Sequence, residues 1–458
     1  MNASAENGAW QAQAGHWQTQ VDALKAAATL RATRPANVSA ANAARVILLD
    51  TIGCMLAGRA APELIAFEEQ CSTLESGPFT FPGGRRLSIA SAAQVGAMAA
   101  TWDEACEGHA HAHGRPGVAA VAALLPLAVA GARGLDATAD TLALAYEVGA
   151  RAGAWLRILP GMHVDGNWPS LGVAAGVARM LGQDAAGIVR AIDIAACQLP
   201  ASLYLPVAAG KTARNTYLAH SAQLGLLAAQ AAAAGIGAPE GALAEYAARF
   251  SGAAAHQQPG PCAAPEDDLI LDAYIKPYAA VRHVHYGAQL ANAVWQELKG
   301  RTESITRIVL SIYPEAITYC GNRAPAVPIQ AQFSLSFGLA AMLRFGVLDH
   351  SVYRPGRFDD AELRRLEAMV EIKVDRVLEE QGKRGAQLLV SSGYNDIERD
   401  VRAIPGDPSM PLSAEEVAAK FMRYAQASVP NEKAFVFANA VLAAEVDVRM
   451  RALWDLLF

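Results

Sequence analysis

The sequence predicts a mainly α-helical protein, with a large all-helical domain and a smaller α+β domain before the C-terminal helices. Apolar residues recur at helical spacing through the first part of the chain, as in VSAANAARVILLDTIGCMLAG. Runs that alternate apolar and polar residues, ITRIVLSIYPEAIT and EIKVDRVLE, occur beyond residue 268 and are typical of half-exposed strands. The predicted domains are therefore residues 1–268, residues 269–408 and residues 409–458.

The boundaries rest on breaks in these patterns. A Gly- and Pro-rich segment around residues 256–268, AHQQPGPCAAPED, interrupts the helical pattern and predicts the first boundary. A Pro-rich stretch ends the α+β domain, and Ser413 with Glu416 three residues later predicts a capped helix. The helices after this cap are expected to return to the first domain.

Composition excludes several classes of protein. The chain has 458 residues, 53% of them hydrophobic, so it can bury a large core. A net charge of -6, without a basic run carrying aromatics, argues against a nucleic-acid surface. No basic region followed by an apolar run opens the chain, and charges interrupt the later apolar stretches, so we expect a cytoplasmic protein without a membrane span. Six dispersed cysteines without CxxC predict buried free thiols.

The segment Thr101–Gly117, TWDEACEGHAHAHGRPG, concentrates the groups that can transfer protons. It carries three histidines and three carboxylates between two Ala-rich apolar runs that read as buried helices. Polar residues between core helices indicate a pocket edge, although a solvated inter-helix loop would look similar. Cys106 shares the segment and could be a nucleophile, but a small apolar filler is the more ordinary interpretation.

Six blocks of the chain carry a resemblance to a known family. They are LLDTIGCMLAG, the spacing from Asp103 to His113, GMHVDGNWPSLGVAAGVARMLG, RNTYLAHSAQLGLLAA, IKPYAAVRHVHYGAQLA and YCGNRAPAVPIQAQFSLSFGLA. In this order they resemble the MmgE/PrpD family, which includes 2-methylcitrate dehydratase, cis-aconitate decarboxylase and iminodisuccinate epimerase. The resemblance implies a helical domain completed by the C-terminal tail, an inserted α+β lid, a homodimer and no cofactor.

The resemblance also implies a set of site residues. The positions that match the family's catalytic residues are Asp103, His113, His163, His285 and Tyr319. The substrate-binding positions are Arg214 or, in an alternative registration, Lys211, together with Arg282 and with Glu107, which stands where the family has a hydroxyl. This chain also reads DEAC where the family often has a run of aspartates, so the substrate and the reaction type stay open.

The implied chemistry fits these residue types. Removal of a proton next to a carboxylate builds negative charge, which arginines can stabilise and histidines can initiate near neutral pH. We expect His163 and His285 to form the acid–base pair, Asp103 to orient a histidine such as His113, and Tyr319 to donate a hydrogen bond. The predicted function is a cofactor-independent hydro-lyase acting on a small di- or tricarboxylate, with an epimerase or a cis-aconitate-type decarboxylase as alternatives.

Two alternatives come from other classes of protein. The HAHAH segment could hold zinc in a metal-dependent hydrolase, but such enzymes of the barrel type need many strands around the motif. A non-catalytic helical interaction module would explain the Ala-rich helices, but it would not explain acid–base and cationic residues in several blocks. The preferred interpretation therefore has no metal and no nucleotide cofactor, since no phosphate-binding glycine loop is present in the sequence.

Overall fold

A computed structural model describes residues 3–156, 158–251, 263–393, 395–443 and 447–458. Within these ranges the fold is mainly α-helical, as the sequence predicts. The helices before residue 263 are α1 (Ala3–Thr33), α2 (Val38–Gly58), α3 (Pro62–Leu74), α4 (Ile89–Thr101), α5 (Pro116–Ala130), α6 (Leu135–Trp155), α7 (Pro169–Met180), α8 (Ala185–Ala196), α9 (Leu205–Ala208), α10 (Tyr217–Ala233) and α11 (Ala242–Ser251).

The later helices flank and follow a small sheet. They are α12 (Arg282–Leu298), α13 (Pro314–Cys320), α14 (Pro328–Ala331), α15 (Leu335–Phe345), α16 (Ala361–Met369), α17 (Arg376–Gln381), α18 (Ala414–Ala425), α19 (Asn431–Leu442) and α20 (Met450–Asp455). The strands of the whole chain are β1 (Phe79–Thr80), β2 (Arg86–Leu87), β3 (Gly108–His109), β4 (Met162–His163), β5 (Ser202–Leu203), β6 (Ala273–Tyr274), β7 (Ile305–Ile312), β8 (Val370–Val374), β9 (Ala386–Ser392) and β10 (Asp396–Val401).

Helix α7 lies at the centre of the helical part, against α5, α6, α8 and α10. Small residues on α7 make this possible. A Cβ on Gly172 would lie 2.4 Å from the Ala145 carbonyl oxygen of α6, so only glycine allows this approach. The Gly- and Ala-rich sequence of α7 thus explains how four helices surround one.

The later part of the chain contains a four-stranded sheet in the order β10-β9-β7-β8. Strands β7 and β8 are parallel, while β9 pairs antiparallel with both β7 and β10. Helix α12 packs on β9 and β10, and α15 packs on α12. The alternating runs that predicted strands fall on β7 and β8, inside the predicted lid, whereas its bounds at residues 268 and 408 stay predictions.

The C-terminal helices pack against the N-terminal part. Helix α18 packs on α2, and the buried Lys420 of α18 forms an ion pair with the buried Asp50 of α2. The predicted capping box is confirmed, because Ser413 Oγ accepts the Glu416 N–H at 3.2 Å while the Glu416 carboxylate accepts the Ser413 N–H at 2.8 Å. The last helices therefore return to the first part of the chain.

Helix α2 is, among the described residues, the helix long and apolar enough to cross a membrane. Most of it is buried inside the protein, as expected for a core helix. The thiols of Cys54, Cys71, Cys106 and Cys320 are buried and unbridged. Cys197 is exposed, which corrects the expectation for that residue, and Cys262 lies outside the described residues.

Candidate active site

Two short ladders fix the loops around the cavity beside the polar segment Thr101–Gly117, which has a volume of about 570 Å³. Strand β3 pairs with β6, and β4 pairs with β5. The first ladder requires glycine at position 108, because a Cβ there would lie 2.3 Å from the Tyr274 hydroxyl. Residues from both sides of the predicted domain boundary therefore meet in one wall.

Glu104 is the centre of a buried cationic cluster in this wall. Its Oε1 accepts a hydrogen bond from Lys276 Nζ at 2.7 Å, and its Oε2 accepts one from Arg115 Nη1 at 2.8 Å. Arg214 forms a third ion pair with the same carboxylate. Burial disfavours ionisation of Glu104, but the three cations outweigh it and hold its pKa well below the usual range. Glu104 is therefore a fixed anion and not a proton acceptor.

The backbone of Glu104 is left-handed, with φ of 53°. This conformation is uncommon for a residue other than glycine, and such strain is held in place by the surrounding structure, often at functional sites. Lys276 Nζ contributes to that support by donating to the Glu104 carbonyl oxygen at 3.0 Å. The side chain and the backbone of Glu104 are thus held by the same lysine.

Asp165 supplies a second buried carboxylate and forms an ion pair with Arg115. Burial raises the pKa of Asp165, but Arg115 and then His163 and Arg214 outweigh it, so the pKa lies below its ordinary value. Three cations face two carboxylates in this cluster, which leaves one positive charge when His163 is neutral. The wall can therefore attract an anion.

His163 is a buried neutral imidazole beside this cluster. Burial lowers its pKa to about 4, against a smaller opposing effect from Asp165. The Asp165 N–H donates to Nδ1 at 3.1 Å, so the proton of the ring lies on Nε2. The ring stacks on Tyr204 with centroids 5.9 Å apart. His163 is thus oriented by β4 and presents an N–H donor at neutral pH.

His283 lines the same cavity from the beginning of α12. Its Nδ1 lies 2.6 Å from the Tyr313 hydroxyl, and its ring stacks on Tyr319 with centroids 5.9 Å apart and planes at 12°. Burial lowers its pKa to about 4. The cavity therefore holds a second neutral imidazole, contributed by the later part of the chain.

His285, predicted as one of the acid–base pair, is not among the described residues that line the cavity. Its Nε2 lies 3.0 Å from the Ala280 carbonyl oxygen, and its ring packs edge-on against Tyr278. Burial lowers its pKa well below the ordinary value. The two histidines are neighbours on α12 that point to different surroundings, and His283 is the one at the cavity.

Asp103 and Glu107 also differ from the predicted arrangement. Asp103 makes a two-point ion pair with Arg354, at 2.9 and 2.8 Å, rather than orienting His113. Glu107 accepts the Gly117 N–H at 2.8 Å and so caps the beginning of α5. Neither carboxylate is among the described lining residues.

Glu107 is fully buried, and burial raises its pKa to about 8. Its second oxygen accepts a hydrogen bond from the Tyr146 hydroxyl at 3.2 Å. The remaining predicted histidine, His113, lies exposed at the cavity rim with a left-handed φ of 54°. Both oxygens of Glu107 therefore have partners inside the protein, and its predicted contact with substrate stays a prediction.

Of the two alternative cations, Arg214 lies at the cavity and Lys211 does not. Arg214 is 1% exposed and also donates to the Thr101 carbonyl oxygen at 3.0 Å, whereas Lys211 is exposed just before a short 3-10 helix. Arg282 lines the cavity, forms an ion pair with Asp407 and lies over the Tyr274 ring. Tyr319 lines it as well and is 53% exposed.

The HAHAH segment is divided between the interior and the surface. His109 is buried, accepts the Ala112 N–H on Nδ1 and donates from Nε2 to the Leu269 carbonyl oxygen. Burial lowers its pKa to about 4. His111 and His113 are exposed. In the described part of the chain no group of three or more histidine, cysteine or carboxylate side chains is placed to hold a metal ion.

Several residues at the cavity were not predicted from the sequence. They are Glu104, Arg115, Asp165, Tyr204, Tyr274, Lys276, His283 and Arg384. Their signals were positional, since Glu104 follows Asp103, Asp165 lies two residues after His163, and Lys276 lies inside one of the six blocks. Arg115 immediately precedes the Pro116 that begins α5, where a cation would not be expected from helix electrostatics.

Comparison with known families agrees with this architecture. Residues 24–259 match the MmgE/PrpD N-terminal domain, and residues 278–445 match the MmgE/PrpD C-terminal domain. The chain therefore belongs to the MmgE/PrpD family. Membership indicates an enzyme of the dehydratase or lyase type, or of a related class. No curated protein matches the chain.

Proposed function

We propose that the protein is a cofactor-independent hydro-lyase that removes a proton next to a carboxylate of a small dicarboxylate or tricarboxylate and expels a hydroxyl group as water. The observation that carries this proposal is the pair of neutral imidazoles, His163 and His283, in one cavity with a buried cluster of net positive charge. An elimination needs a base, a proton donor and stabilisation of a developing anion, and these groups can provide all three.

The cationic cluster would stabilise the charge that develops when the proton leaves. A substrate carboxylate placed at Arg115, Arg214 and Lys276 becomes more negative as the carbanion forms, so its attraction to these cations grows toward the transition state. Glu104 holds the three cations in place before substrate arrives, which reduces the reorganisation that the reaction requires.

His283 would serve as the base in this mechanism. If its Nδ1–H donates to the Tyr313 oxygen, the lone pair of Nε2 is free to accept the substrate proton. A bound anion raises the pKa of a neighbouring imidazole, so substrate binding itself would strengthen a base that is neutral in the free enzyme. Tyr319, stacked on the ring, would keep its orientation.

His163 would act on the departing hydroxyl group. Its Nε2–H is available as a donor because Nδ1 already accepts the Asp165 N–H. In the complete step His283 takes the carbon-bound proton, and the carbon–carbon double bond forms as the carbon–oxygen bond breaks. The departing hydroxide, which accepts a hydrogen bond from His163 Nε2–H, leaves as water with the proton that His283 gives up, so both imidazoles end neutral. A neutral imidazole can polarise a substrate oxygen in this way, because its N–H donates a hydrogen bond without the ring first becoming charged.

Proton NMR of di- and tricarboxylates in deuterated buffer would test the proposal. We expect deuterium next to a carboxylate and an alkene product, in a chelated sample without added nucleotide. Deuterium with inverted configuration and no alkene would replace the hydro-lyase by an epimerase, and loss of carbon dioxide would replace it by a decarboxylase. Activity that needed an added metal or nucleotide would overturn the proposal.

Glutamine substitutions distinguish the proposed roles of His163 as hydrogen-bond donor and His283 as base. His163→Gln keeps an N–H donor, so it should retain more activity than His163→Ala. His283→Gln removes the basic lone pair, so it should be as inactive as His283→Ala, with a loss of about 100- to 10,000-fold. The opposite ranking would exchange the roles, and unchanged turnover in all four variants would remove both residues from the mechanism.

A further inference from the structure

The lining of the cavity is divided into a charged wall and an apolar wall. The charged wall holds the cluster around Glu104. The apolar wall is the loop after α6, where every described lining residue between positions 156 and 164 except His163 is apolar or glycine. These residues are Leu156, Ile158, Leu159, Pro160, Gly161, Met162 and Val164.

This apolar wall continues to the mouth of the cavity. Ile158, Leu159 and Met162 are half-buried, and the strand that contains Met162 pairs with the strand that contains Leu203, which is 52% exposed. Tyr319 lines the cavity and is 53% exposed. Half-buried apolar side chains of this loop and the exposed ring of Tyr319 thus belong to the cavity lining, and a wholly polar ligand would make no apolar contact with them.

The charged wall limits the charge of the ligand. The lining cations outside the central cluster already have carboxylate partners, Arg282 with Asp407 and Arg384 with Glu315 at 3.0 Å. The central cluster carries one positive charge in excess. A dicarboxylate brings this wall closer to neutrality than a tricarboxylate would, and the cavity volume of about 570 Å³ leaves room for a larger substituent.

We infer that the substrate is a dicarboxylate with a hydrocarbon substituent of several carbons, its carboxylates at the Glu104 cluster and its hydrocarbon on the loop of residues 156–164. This inference rests on the proposed function for the identity of the reacting end. A small polar acid lacks this hydrocarbon substituent, which we call the hydrocarbon arm. A second copy of the chain that covers the mouth is the rival occupant of the same apolar surface.

Isothermal titration calorimetry with succinate and its 2-methyl, 2-butyl and 2-hexyl derivatives tests the inference. We expect the affinity to increase roughly twofold to fourfold for each added methylene that lies on the wall. Met162→Gln should flatten this dependence, because it replaces an apolar lining side chain by a polar one of similar length. Met422→Gln, at a half-buried position of α18 outside the cavity lining, is the matched control and should keep the wild-type dependence.

Arg214→Gln completes the design, because it should weaken every member of the series by a similar factor. An affinity in the wild type that is flat or falls with chain length overturns the inference, as does a failure of all four acids to bind. A flat dependence together with a Met162→Gln change from dimer to monomer in analytical ultracentrifugation assigns the surface to a second copy.

The deuterium assay, applied to the same four succinates, distinguishes a failure of the proposed hydrocarbon arm from a failure of the proposed hydro-lyase reaction. A flat chain-length dependence with deuterium incorporation overturns the hydrocarbon arm and leaves the proposed reaction standing. A steep dependence with neither exchange nor turnover of any hydroxylated analogue overturns the reaction and supports the arm as a binding feature.

Discussion

Replacement of Glu104 by glutamine removes the charge that three buried cations share, while it keeps the shape of the side chain. Arg115 retains Asp165, Arg214 retains the Thr101 carbonyl oxygen, and Lys276 retains the Glu104 carbonyl oxygen. Two of the three cations are then left with neutral acceptors only. Breaking a buried ion pair on one side costs about 3–5 kcal/mol, so we expect Glu104→Gln to reduce the free energy of unfolding by that amount.

The adjacent carboxylate provides the control. Asp103 is buried but pairs with a single cation, Arg354, whose side chain is 31% exposed and can be hydrated when the charge of its partner is removed, so Asp103→Asn should cost about 2 kcal/mol, less than Glu104→Gln. Urea denaturation of both variants and the wild type at neutral pH, analysed with a common m value, measures the two costs. Equal costs, or a Glu104→Gln cost below about 1 kcal/mol, would refute the central role of Glu104.

The pH dependence gives a second measure of the same interaction. The folded-state pKa of Glu104 lies well below the ordinary value of 4.5, so its contribution to stability is present above pH 4.5 and is lost as the pH falls through the folded-state pKa. The difference between wild type and Glu104→Gln should therefore narrow in acid.

Three further predictions follow from the placement of single residues. His283→Ala should abolish most turnover, whereas His285→Ala should leave turnover within about threefold. His285→Ala should instead lower the free energy of unfolding by about 1–3 kcal/mol, since it removes a buried hydrogen-bonding ring. Measurement of kcat and of the melting temperature for both variants tests this assignment, and equal losses of turnover would contradict it. Burial raises the pKa of Glu107 from 4.5 to about 8, so its contribution to stability is full below pH 4.5 and is lost as the pH rises through 8. Glu107→Gln should remove this loss of stability in denaturation curves measured across that pH range, and a variant with the wild-type pH dependence would contradict the prediction. His111→Ala should alter neither turnover nor metal content, because His111 is exposed, and a coupled loss of both would favour the metal-dependent alternative.

The sequence predicts the architecture because the two periodicities that define it are local. The helical spacing of α2 and the alternation in β7 depend on neighbouring residues only, and the cap at Ser413 is a three-residue pattern. The six family blocks also contain residues that line the cavity, such as His163, Arg214 and Tyr319. Fold class and family were therefore within reach of sequence reasoning.

The identity of individual site residues depends on geometry that the sequence does not encode so directly. Glu104 adopts a left-handed backbone that most sequences reserve for glycine, and this rotation turns Glu104 rather than Asp103 into the cationic wall. His283 and His285 differ by two positions, which on a helix is more than half a turn around its axis. A difference of one or two positions in the sequence therefore decides which side chain reaches the cavity and which reaches the core.

The ion pair between Lys420 of α18 and Asp50 of α2 has a consequence for folding during synthesis on the ribosome. Lys420 also donates to the Ala105 carbonyl oxygen at 2.7 Å, so the polar loop depends on a residue 315 positions later in the chain. At about 5–20 residues per second, that support arrives about 15–60 s after the loop has been synthesised. Until Lys420 has been synthesised, Asp50 lacks this ion-pair partner and the Ala105 carbonyl oxygen lacks this hydrogen-bond donor. A chain truncated just before α18 should therefore fold defectively, although it contains every described residue that lines the cavity.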